Sequence, residues 1–254
     1  MDIRKTAAAY YDLNPDFPDD IPFYLSLIPP EARVLELGCG TGRVTLPLAQ
    51  RENFVQGIDI SPAMVAICRE RLANTGLTAD RAVVEVGDIT YFDLQQSFDA
   101  IIAPFRVLQN LETDEQVHGL FRCIRSHMVS GGACILNVFH PNRDPDGLRE
   151  HWVRPQEVFQ WELPIKGGRI ACYVHNARLD PEKLVLYPEL IYRRYQGDAL
   201  VDEAVLKIVM RCYYPEEFAA LVQTQGFVIH NRWGGYHGEP YGHGSELVLQ
   251  FGAA

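Results

Sequence analysis

The residues of this chain that are best suited to chemistry form a glycine-rich segment, in which Gly38, Gly40 and Gly42 alternate with other residues. The segment lies between an apolar stretch, residues 33–37, and a predicted helix, residues 42–51. Because glycine has no Cβ, such a loop can turn tightly and bring its backbone close to a ligand. The free N–H groups of a following helix favour a carboxylate or a phosphate. A tight strand-to-helix turn has the same composition, so the loop alone is weak evidence.

Two acidic residues follow neighbouring predicted strands. Asp59 ends the second strand, at about the spacing where a doubly wound fold places the acid that accepts hydrogen bonds from ribose hydroxyls. Asp88 follows the third strand, residues 82–86. Either acid could instead cap the helix that comes next. Together with the glycine loop, however, they outline one crevice at the carboxyl ends of three strands, where this architecture binds ligands.

The spacing of the glycines distinguishes between nucleotides. The dinucleotide fingerprint G-x-G-x-x-G requires a third glycine five positions after the first. That position is occupied by Arg43, and the actual spacing is G-x-G-x-G, preceded by Glu36. An NAD-dependent oxidoreductase is therefore a disfavoured alternative.

Three segments together carry a resemblance to a known family. They are V-L-E-L-G-C-G-T-G-R at residues 34–43, G-I-D-I-S at 57–61 with Met64 after it, and G-D-I at 87–89. This combination resembles the class I S-adenosylmethionine-dependent methyltransferases, over about residues 10–137 and again around 213–251. The resemblance implies a methyltransferase enzyme with S-adenosyl-L-methionine as its cofactor. A catalytically inactive module that binds the same cofactor stays as an alternative, although we expect such a module to have lost Asp59 or a loop glycine.

The resemblance also implies a role for individual residues. The loop glycines would pack against the methionine part and the ribose, and Glu36 would hold the amino group. Asp59 would take both ribose hydroxyls, and Asp88 would bind the adenine amino group. The adenine ring would lie between Ile60, Met64 and Ile89, and residues 103–105 would line the sulfonium end. The cofactor-binding residues implied in this way are Tyr11, Glu36, Gly38, Cys39, Gly40, Gly42, Arg43, Asp59, Ile60, Met64, Asp88, Ile89, Ala103, Phe105 and Leu108.

The methyl acceptor is less clearly indicated. The segments Y-Y-D at residues 10–12, D-I-P-F-Y at 20–24 and R-C-Y-Y-P-E-E-F at 211–218 are similar to small-molecule methyltransferases with an antiparallel insertion, amino-sugar N-methyltransferases among them. No N-P-P-Y motif follows the fourth predicted strand, which argues against the enzymes that methylate amino groups of nucleic acids or glutamine. We therefore expect a small-molecule acceptor that is methylated on nitrogen or oxygen.

No catalytic residue can be named from the sequence. The cofactor's sulfonium already supplies the electrophile and the leaving group, so the protein mainly aligns the reactants. Arg106 and Gln109 are candidates for acceptor contact, and solvated loop positions are an equal alternative. His140 is a candidate base, with an ordinary pKa of about 6.5, although a structural role is favoured. His237 and His243 have no third ligand at a recognisable spacing, so no metal site is expected.

The elements that position these residues follow from hydrophobic patterning. Short apolar runs alternate with amphipathic stretches over residues 33–137, which predicts an α/β fold with a doubly wound, mostly parallel, seven-stranded Rossmann-like sheet. Strand-like stretches at 169–178, 183–195 and 204–213 predict an antiparallel β meander. The expected organisation is a cofactor-binding core, residues 1–140 and 205–254, with an inserted subdomain, residues 141–204. This insertion would act as a lid or, if an unpaired edge is covered by a second subunit, as the contact of a homodimer.

Bulk composition limits the partners. The 254 residues carry a formal net charge of -10, which disfavours nucleic acid and anionic membranes. The six cysteines never form a C-x-x-C pair, and residues 1–11 contain no apolar signal region. These features predict reduced thiols and a cytoplasmic protein with no membrane contact.

Overall fold

The structure is a computed structural model that describes residues 7–253; the first six residues of the N-terminal segment discussed above, and Ala254, lie outside the described range. The chain forms two compact units. The larger unit comprises Asp19–Asn142 and Cys212–Ala254, and the smaller unit comprises Met1–Pro18 and Arg143–Arg211.

Twelve strands and seven α-helices make up the described residues. In chain order they are α1 (Ala8–Tyr11), α2 (Ile21–Leu27), β1 (Arg33–Leu37), α3 (Thr45–Gln50), β2 (Phe54–Asp59), α4 (Pro62–Asn74), β3 (Ala82–Val86), β4 (Phe98–Ala103), α5 (Asp114–His127), β5 (Met128–Phe139), α6 (Pro145–His151), β6 (Val158–Ile165), β7 (Gly168–Asp180), β8 (Val185–Gln196), β9 (Ala199–Lys207), β10 (Met210–Arg211), α7 (Pro215–Thr224), β11 (Phe227–Trp233) and β12 (Glu246–Ala253). A single 3-10 turn, Val107–Asn110, follows β4.

The larger unit is built on one seven-stranded sheet with the order β11-β12-β5-β4-β1-β2-β3. Strands β1 to β5 pair with one another in parallel. Strand β12 pairs antiparallel with both of its neighbours, β5 and β11. This confirms the doubly wound, mostly parallel sheet. The chain proceeds outward from β1 to β3 and then returns to the other side of β1 to form β4. The direction of winding therefore reverses between β1 and β4, and this is where such sheets bind ligands.

Both faces of this sheet are covered by helices, which is why its strands are apolar at successive positions. Val34 of β1 packs into one core cluster, whereas Leu35 and Leu37 pack into the other. Helix α5 buries Val117, Leu120, Phe121 and Ile124, as its hydrophobic stripe predicts. Met128, which the pattern placed in the same stripe, is instead the first residue of β5.

The helix boundaries follow from local capping. The Ser61 hydroxyl accepts a hydrogen bond from the N–H of Met64 at 3.3 Å, and Pro62 takes the first helical position of α4. Thr113 and Gln116 form the predicted capping box of α5. The helix expected to begin at Gly42 begins only at Thr45, because Gly42 has φ +87° and cannot continue a right-handed helix.

The smaller unit contains the predicted antiparallel meander with two additional strands. The sheet has the order β10-β8-β7-β6, and β9 also pairs with β8. β6 was missed although its apolar residues alternate with Gln160, Glu162 and Pro164. The third expected strand is displaced, because β9 starts at Ala199, immediately after the turn that follows β8. The expected limits 141–204 are therefore too narrow at the C-terminal end, since β10 still pairs with β8.

The N-terminal residues were assigned to the wrong unit. Described residues 7–18 belong with the meander, not with the larger unit. The ring of Tyr10 stacks on Tyr192 with 5.8 Å between centroids, and its hydroxyl is hydrogen-bonded to Asp202. A short helix of four residues carries too little apolar surface for its partner to be read from its sequence.

None of the helices within the described residues is long and apolar enough to cross a bilayer. Within residues 7–253, no group of three or more His, Cys, Asp or Glu side chains is arranged to hold a metal ion.

Candidate functional site

The loop after β1 has the geometry that only glycine adopts easily. Gly38, Gly40 and Gly42 have φ values of +73°, +55° and +87°. A Cβ at Gly38 would lie 2.5 Å from Val107, and a Cβ at Gly42 would lie 2.6 Å from the Cys68 sulfur. At Gly40, by contrast, no atom lies within 4 Å of the position that a Cβ would take. Packing therefore requires two of the glycines, and the third faces open space that a ligand can occupy.

The loop is fixed to the end of β2 by Asp59. One carboxylate oxygen accepts a hydrogen bond from the N–H of Gly40 at 2.9 Å, and the other accepts from the N–H of Ser61 at 2.8 Å. Asp59 is 2% exposed. It therefore holds both the glycine loop and the N-terminus of α4. An ionised carboxylate only accepts hydrogen bonds and has about four lone-pair sites.

Glu36 is a buried carboxyl at the base of the same loop. It is 2% exposed and accepts a hydrogen bond from the Thr45 hydroxyl at 2.6 Å. Burial raises the pKa of the Glu36 carboxyl to about 8, although the bond from Thr45 and the charge of Arg43 favour its ionised form. A cationic group placed beside it would restore its ionisation.

Arg43 connects the glycine loop to α2. Its guanidinium is hydrogen-bonded to both oxygens of Asp20, one of them at 2.8 Å, and Asp20 is fully buried. The guanidinium carbon also lies 5.7 Å from the ring centroid of Phe105. Arg43 is thus held between Asp20, which precedes α2, and Phe105, which follows β4. Asp20 was not singled out from the sequence as a site residue, although an acid before an Ile-Pro pair marks a helix start.

The residues expected around the adenine ring differ in exposure. Ile60, next to Asp59, is 63% exposed, which is unusual for so large an apolar side chain. Ile89 is half-buried, whereas Met64 is 1% exposed and lies within the core. Asp88 is exposed, and its Oδ1 accepts hydrogen bonds from the N–H and the hydroxyl of Thr90. Ile60 and Asp88 are therefore accessible to a ligand.

Three further candidates point their side chains into the protein. Cys39 is buried beside Gly57, and its N–H donates to the carbonyl of Ile58 at 3.1 Å. Ala103 and Leu108 are fully buried in a core cluster. Only backbone atoms of these residues are placed to serve a ligand. Tyr11 lies in the smaller unit, at the end of α1, and its role stays a prediction.

The turn after β4 is strained and tied to β5 and β12. Phe105 and Arg106 have φ values of +57° and +68°. Left-handed backbone costs non-glycine residues on the order of 1–3 kcal/mol and is concentrated at functional sites. Arg106 donates from Nε to Glu246 at 2.9 Å, Asn137 donates to the other Glu246 oxygen at 2.8 Å, and the Arg106 N–H donates to Asn137 at 3.3 Å. Glu246 is 4% exposed. Arg106, Asn137 and Glu246 thus form a closed hydrogen-bond network, which includes one ion pair, next to the end of β4.

This geometry agrees with what the chain is similar to. Residues 34–132 match the model of a methyltransferase domain. The chain is 28% identical over 164 residues to the ubiquinone biosynthesis O-methyltransferase of Xanthomonas axonopodis pv. citri (strain 306). The aligned region covers 61% of this chain and 66% of that protein. An S-adenosylmethionine-dependent methyltransferase from Clostridium acetobutylicum ATCC 824 has the same fold, with a TM-score of 0.78, 15% identity and 98% of both chains covered. An amino pentose methyltransferase from Micromonospora echinaspora, solved with S-adenosylmethionine bound, matches with a TM-score of 0.69 and 22% identity over 96% of this chain and 95% of that one.

The family model covers residues 34–132, and these similarities identify the chain as an S-adenosylmethionine-dependent methyltransferase. Its cofactor is S-adenosylmethionine. The residues described above suit this cofactor chemically: the loop is open at Gly40, Glu36 is a buried carboxyl without full ionisation, and Ile60 presents an exposed apolar surface beside Asp59.

All three acceptor candidates in this methyltransferase have defined hydrogen bonds, and those of Arg106 join it to Glu246 and Asn137. Gln109 is 1% exposed, and its carbonyl oxygen accepts from the N–H of Phe139 at 2.6 Å, so it braces the turn after β4 against β5. The Nδ1 atom of His140 lies 3.0 Å from the carbonyl oxygen of Gly244. Since a carbonyl can only accept, Nδ1 must carry a proton, and in neutral His140 the Nε2 atom is then the acceptor.

Several residues of this edge were missed from the sequence alone. Glu246 and Asn137 lie in correctly predicted strands, but nothing in the pattern shows that β12 brings Glu246 next to Arg106, 140 residues away. Tyr24 and Tyr236 also border the site, as described below. Such neighbours depend on the sheet order, which the local sequence does not specify.

Proposed function

We propose that this methyltransferase transfers the methyl group of S-adenosylmethionine to a nitrogen or oxygen atom of a small molecule. One observation carries the proposal: the edge of the sheet where β1, β2 and β3 end in the cofactor-type residues also holds a closed hydrogen-bond network of Arg106, Asn137 and Glu246, which follow β4, lie in β5 and begin β12. The amino pentose methyltransferase and the ubiquinone O-methyltransferase named above both act on small molecules, which supports the acceptor class. The net charge of -10 speaks against a nucleic acid.

We further propose roles for the residues of the cofactor half. Glu36 pairs with the ammonium group of the cofactor, and the backbone at Gly40 lies against its methionine part. Asp59, which is held at the end of β2 by its bonds to Gly40 and Ser61, accepts from the ribose hydroxyls. Asp88 accepts from the adenine amino group, and Ile60 packs against the adenine ring.

When bound, the cofactor supplies a methyl group on a positively charged sulfur, so the protein's task is alignment and exclusion of water. The turn at Phe105 and Arg106 is held rigidly by Glu246 and Asn137, which suits alignment. His140 offers Nε2 as a proton acceptor. A base helps only if the acceptor atom arrives with a proton that must leave, as with a hydroxyl or an ammonium group.

The smaller unit supports the proposal of a homodimer. Its edge strands β6 and β9 expose apolar side chains, with Phe159 at 54% and Leu200 at 51% exposed. Unpaired edges of this kind are sites of strand pairing between chains. We propose that a second copy covers one of them and that the inserted unit helps to choose the acceptor. A dimer with a dissociation constant of about 10 μM has a free energy of association of about 7 kcal/mol. A monomeric mass in light scattering above this concentration contradicts the dimer.

The experiment that tests the function is a two-stage measurement. Calorimetry with S-adenosylhomocysteine and with NAD first establishes cofactor choice. Micromolar binding corresponds to about 8 kcal/mol and is expected for the former only. A screen of amines, phenols and carboxylates then follows the formation of S-adenosylhomocysteine. If S-adenosylhomocysteine binds but no acceptor is turned over, in this and in wider small-molecule panels, the protein is the inactive module. If only NAD binds, methyl transfer from S-adenosylmethionine is refuted.

A further inference from the structure

Two tyrosine hydroxyls in the larger unit are buried and have no hydrogen-bond partner among the described residues. They belong to Tyr24 in α2 and to Tyr236 in the loop between β11 and β12. Tyr24 is fully buried. A buried hydroxyl without a partner costs about 1–3 kcal/mol, and native proteins keep few of them. The two rings are neighbours, with 6.3 Å between their centroids.

The surroundings of this tyrosine pair are apolar on one side and charged on the other. Phe23 packs edge-on against both tyrosine rings, with centroid distances of 5.7 Å to Tyr24 and 5.5 Å to Tyr236, and against Trp233 at 5.1 Å. The charged groups that act on both hydroxyls include Asp20, Arg43 and Glu246. Burial and the negative charges of Asp20 and Glu246 raise the pKa of Tyr236, so its hydroxyl keeps its proton.

These charged groups locate the tyrosine pair at the ligand edge of the sheet. Arg43 follows β1 and is paired with Asp20. Arg106 follows β4 and is paired with Glu246, which faces Phe139 at the end of β5. The pair is thus surrounded by residues from the ends of β1, β4 and β5, on the side of the crevice away from Asp59 and Asp88.

We propose that the hydroxyls of Tyr24 and Tyr236 together bind a neutral O–H or N–H group of the methyl acceptor. The proposal rests on the proposed function. Each hydroxyl can donate one hydrogen bond and accept another, so the pair matches a hydroxyl or an uncharged amine. The nearby charges are already paired, and an added ion would find no unpaired partner there. The acceptor class is therefore a small molecule that carries a neutral hydroxyl or an uncharged amine.

The same loop that carries Tyr236 accounts for entry to this subsite. A Cβ at Gly244 would lie 1.7 Å from the carbonyl oxygen of Gly234, so the two ends of the loop cross in direct backbone contact. The residues between them form a compact segment with its own hydrogen bonds, including Gly234 N–H to the carbonyl of Glu239 at 2.7 Å. Because both hydroxyls are enclosed, acceptor binding requires this segment to move as a unit.

The test uses Tyr24→Phe, Tyr236→Phe and the double variant, which keep the rings and remove only the hydroxyls. Tyr241→Phe is the matched control, because its hydroxyl already donates to the carbonyl of Pro215 at 2.8 Å. The probes are D-glucosamine and D-glucose, titrated into the protein saturated with S-adenosylhomocysteine and followed by ligand-observed NMR. We expect at least one sugar to bind and the double variant to weaken it by about tenfold or more, which is about 1.4 kcal/mol, with the control unchanged.

Several results overturn the proposal: neither sugar binds the wild type, or the double variant binds as well as the wild type. A tenfold loss of S-adenosylhomocysteine affinity in the double variant would assign the hydroxyls to the cofactor instead. A lower melting temperature than that of Tyr241→Phe would show that the hydroxyls are satisfied within the protein. If sugar binding depends on the tyrosines but no acceptor is turned over, the proposed function is refuted and the proposed subsite is supported. If an acceptor is turned over with the same KM in the double variant, the proposed function is supported and the subsite is refuted.

Discussion

The buried carboxyl of Glu36 makes the affinity for the cofactor depend on pH. Burial raises its pKa to about 8 in the unbound protein, so at pH 7 most of the carboxyl is protonated. The proposed partner, the cofactor's ammonium group, is cationic and stabilises only the carboxylate. Binding must therefore remove the proton from Glu36, and this cost falls as the pH rises.

The magnitude follows from the fraction of Glu36 that is ionised. With a pKa of about 8, that fraction is about 1% at pH 6, about 10% at pH 7 and about half at pH 8. If the ammonium group lowers the pKa below 6 in the complex, the affinity rises by about tenfold per pH unit at first, or about 1.4 kcal/mol. From pH 6 to pH 8 the total gain is about fiftyfold, and the curve then levels off.

Calorimetry of S-adenosylhomocysteine binding measures this directly. At pH 7 the heat should vary with the ionisation enthalpy of the buffer, with about 0.9 proton released per ligand bound. Glu36→Gln keeps an oxygen for the Thr45 hydroxyl and should abolish both the slope and the proton release. Glu85→Gln, at an exposed position of β3, is the control and should keep them. A flat profile for the wild type would refute the assignment of Glu36 to the ammonium group.

The same shift has an opposite effect on the unbound protein. The pKa of Glu36 is higher in the folded state than the value of about 4.3 in an unfolded chain. The folded state therefore binds more protons between these two values, and stability is full below the lower one and is lost as the pH rises through about 8. The cofactor-free wild type should thus lose melting temperature from pH 6 to pH 8 relative to Glu36→Gln.

Three further changes have defined outcomes. Gly42→Ala places a Cβ 2.6 Å from the Cys68 sulfur at φ +87°, and should lower the free energy of unfolding by about 1–3 kcal/mol in urea titrations; no loss would mean that the loop can relax. Asp59→Asn, milder than alanine because the side chain also holds two backbone amides, should weaken S-adenosylhomocysteine binding by about tenfold or more in calorimetry, and equal affinity would leave Asp59 a purely structural role. His140→Asn keeps a donor for the carbonyl of Gly244 but lacks Nε2. The kcat should therefore fall by about 100-fold for a hydroxyl acceptor and only slightly for an uncharged amine. Equal losses of kcat for both acceptors would exclude the action of His140 as a base.

The fold was predictable from the sequence because its signals are local. The apolar run that ends at Leu37, the cap at Ser61 and the box at Thr113 each act within a few residues, and the structure has a strand that ends at Leu37 and helices that begin after Ser61 and Thr113. The N-terminal helix was assigned to the wrong unit, because its partner Tyr192 lies about 180 positions away and four residues contain no periodic pattern.

The candidate site was predictable in part, and the division has a physical cause. Residues that contact the ligand edge through backbone conformation, such as Gly40, leave a sequence signature, because few residue types tolerate that conformation. Residues that meet by tertiary pairing do not. Gln109 was a candidate for acceptor contact, with a solvated loop position as an equal alternative; it is buried, and its amide oxygen accepts from Phe139. Glu246 went unnoticed although it holds Arg106.

The two halves of the ligand edge suggest where catalysis originates in the proposed reaction. The cofactor half offers carboxylates, at Glu36 and Asp59, to groups remote from the transferred methyl. The acceptor half pairs Arg106 with Glu246, so it exerts little net charge on the reacting atoms. A cationic sulfur that passes its charge to a neutral acceptor gains little from a strong local field, but it needs accurate alignment. Binding energy gained at the ammonium and ribose would then serve to hold the sulfonium in line, against a turn at Phe105 and Arg106 whose strained backbone is fixed by its neighbours.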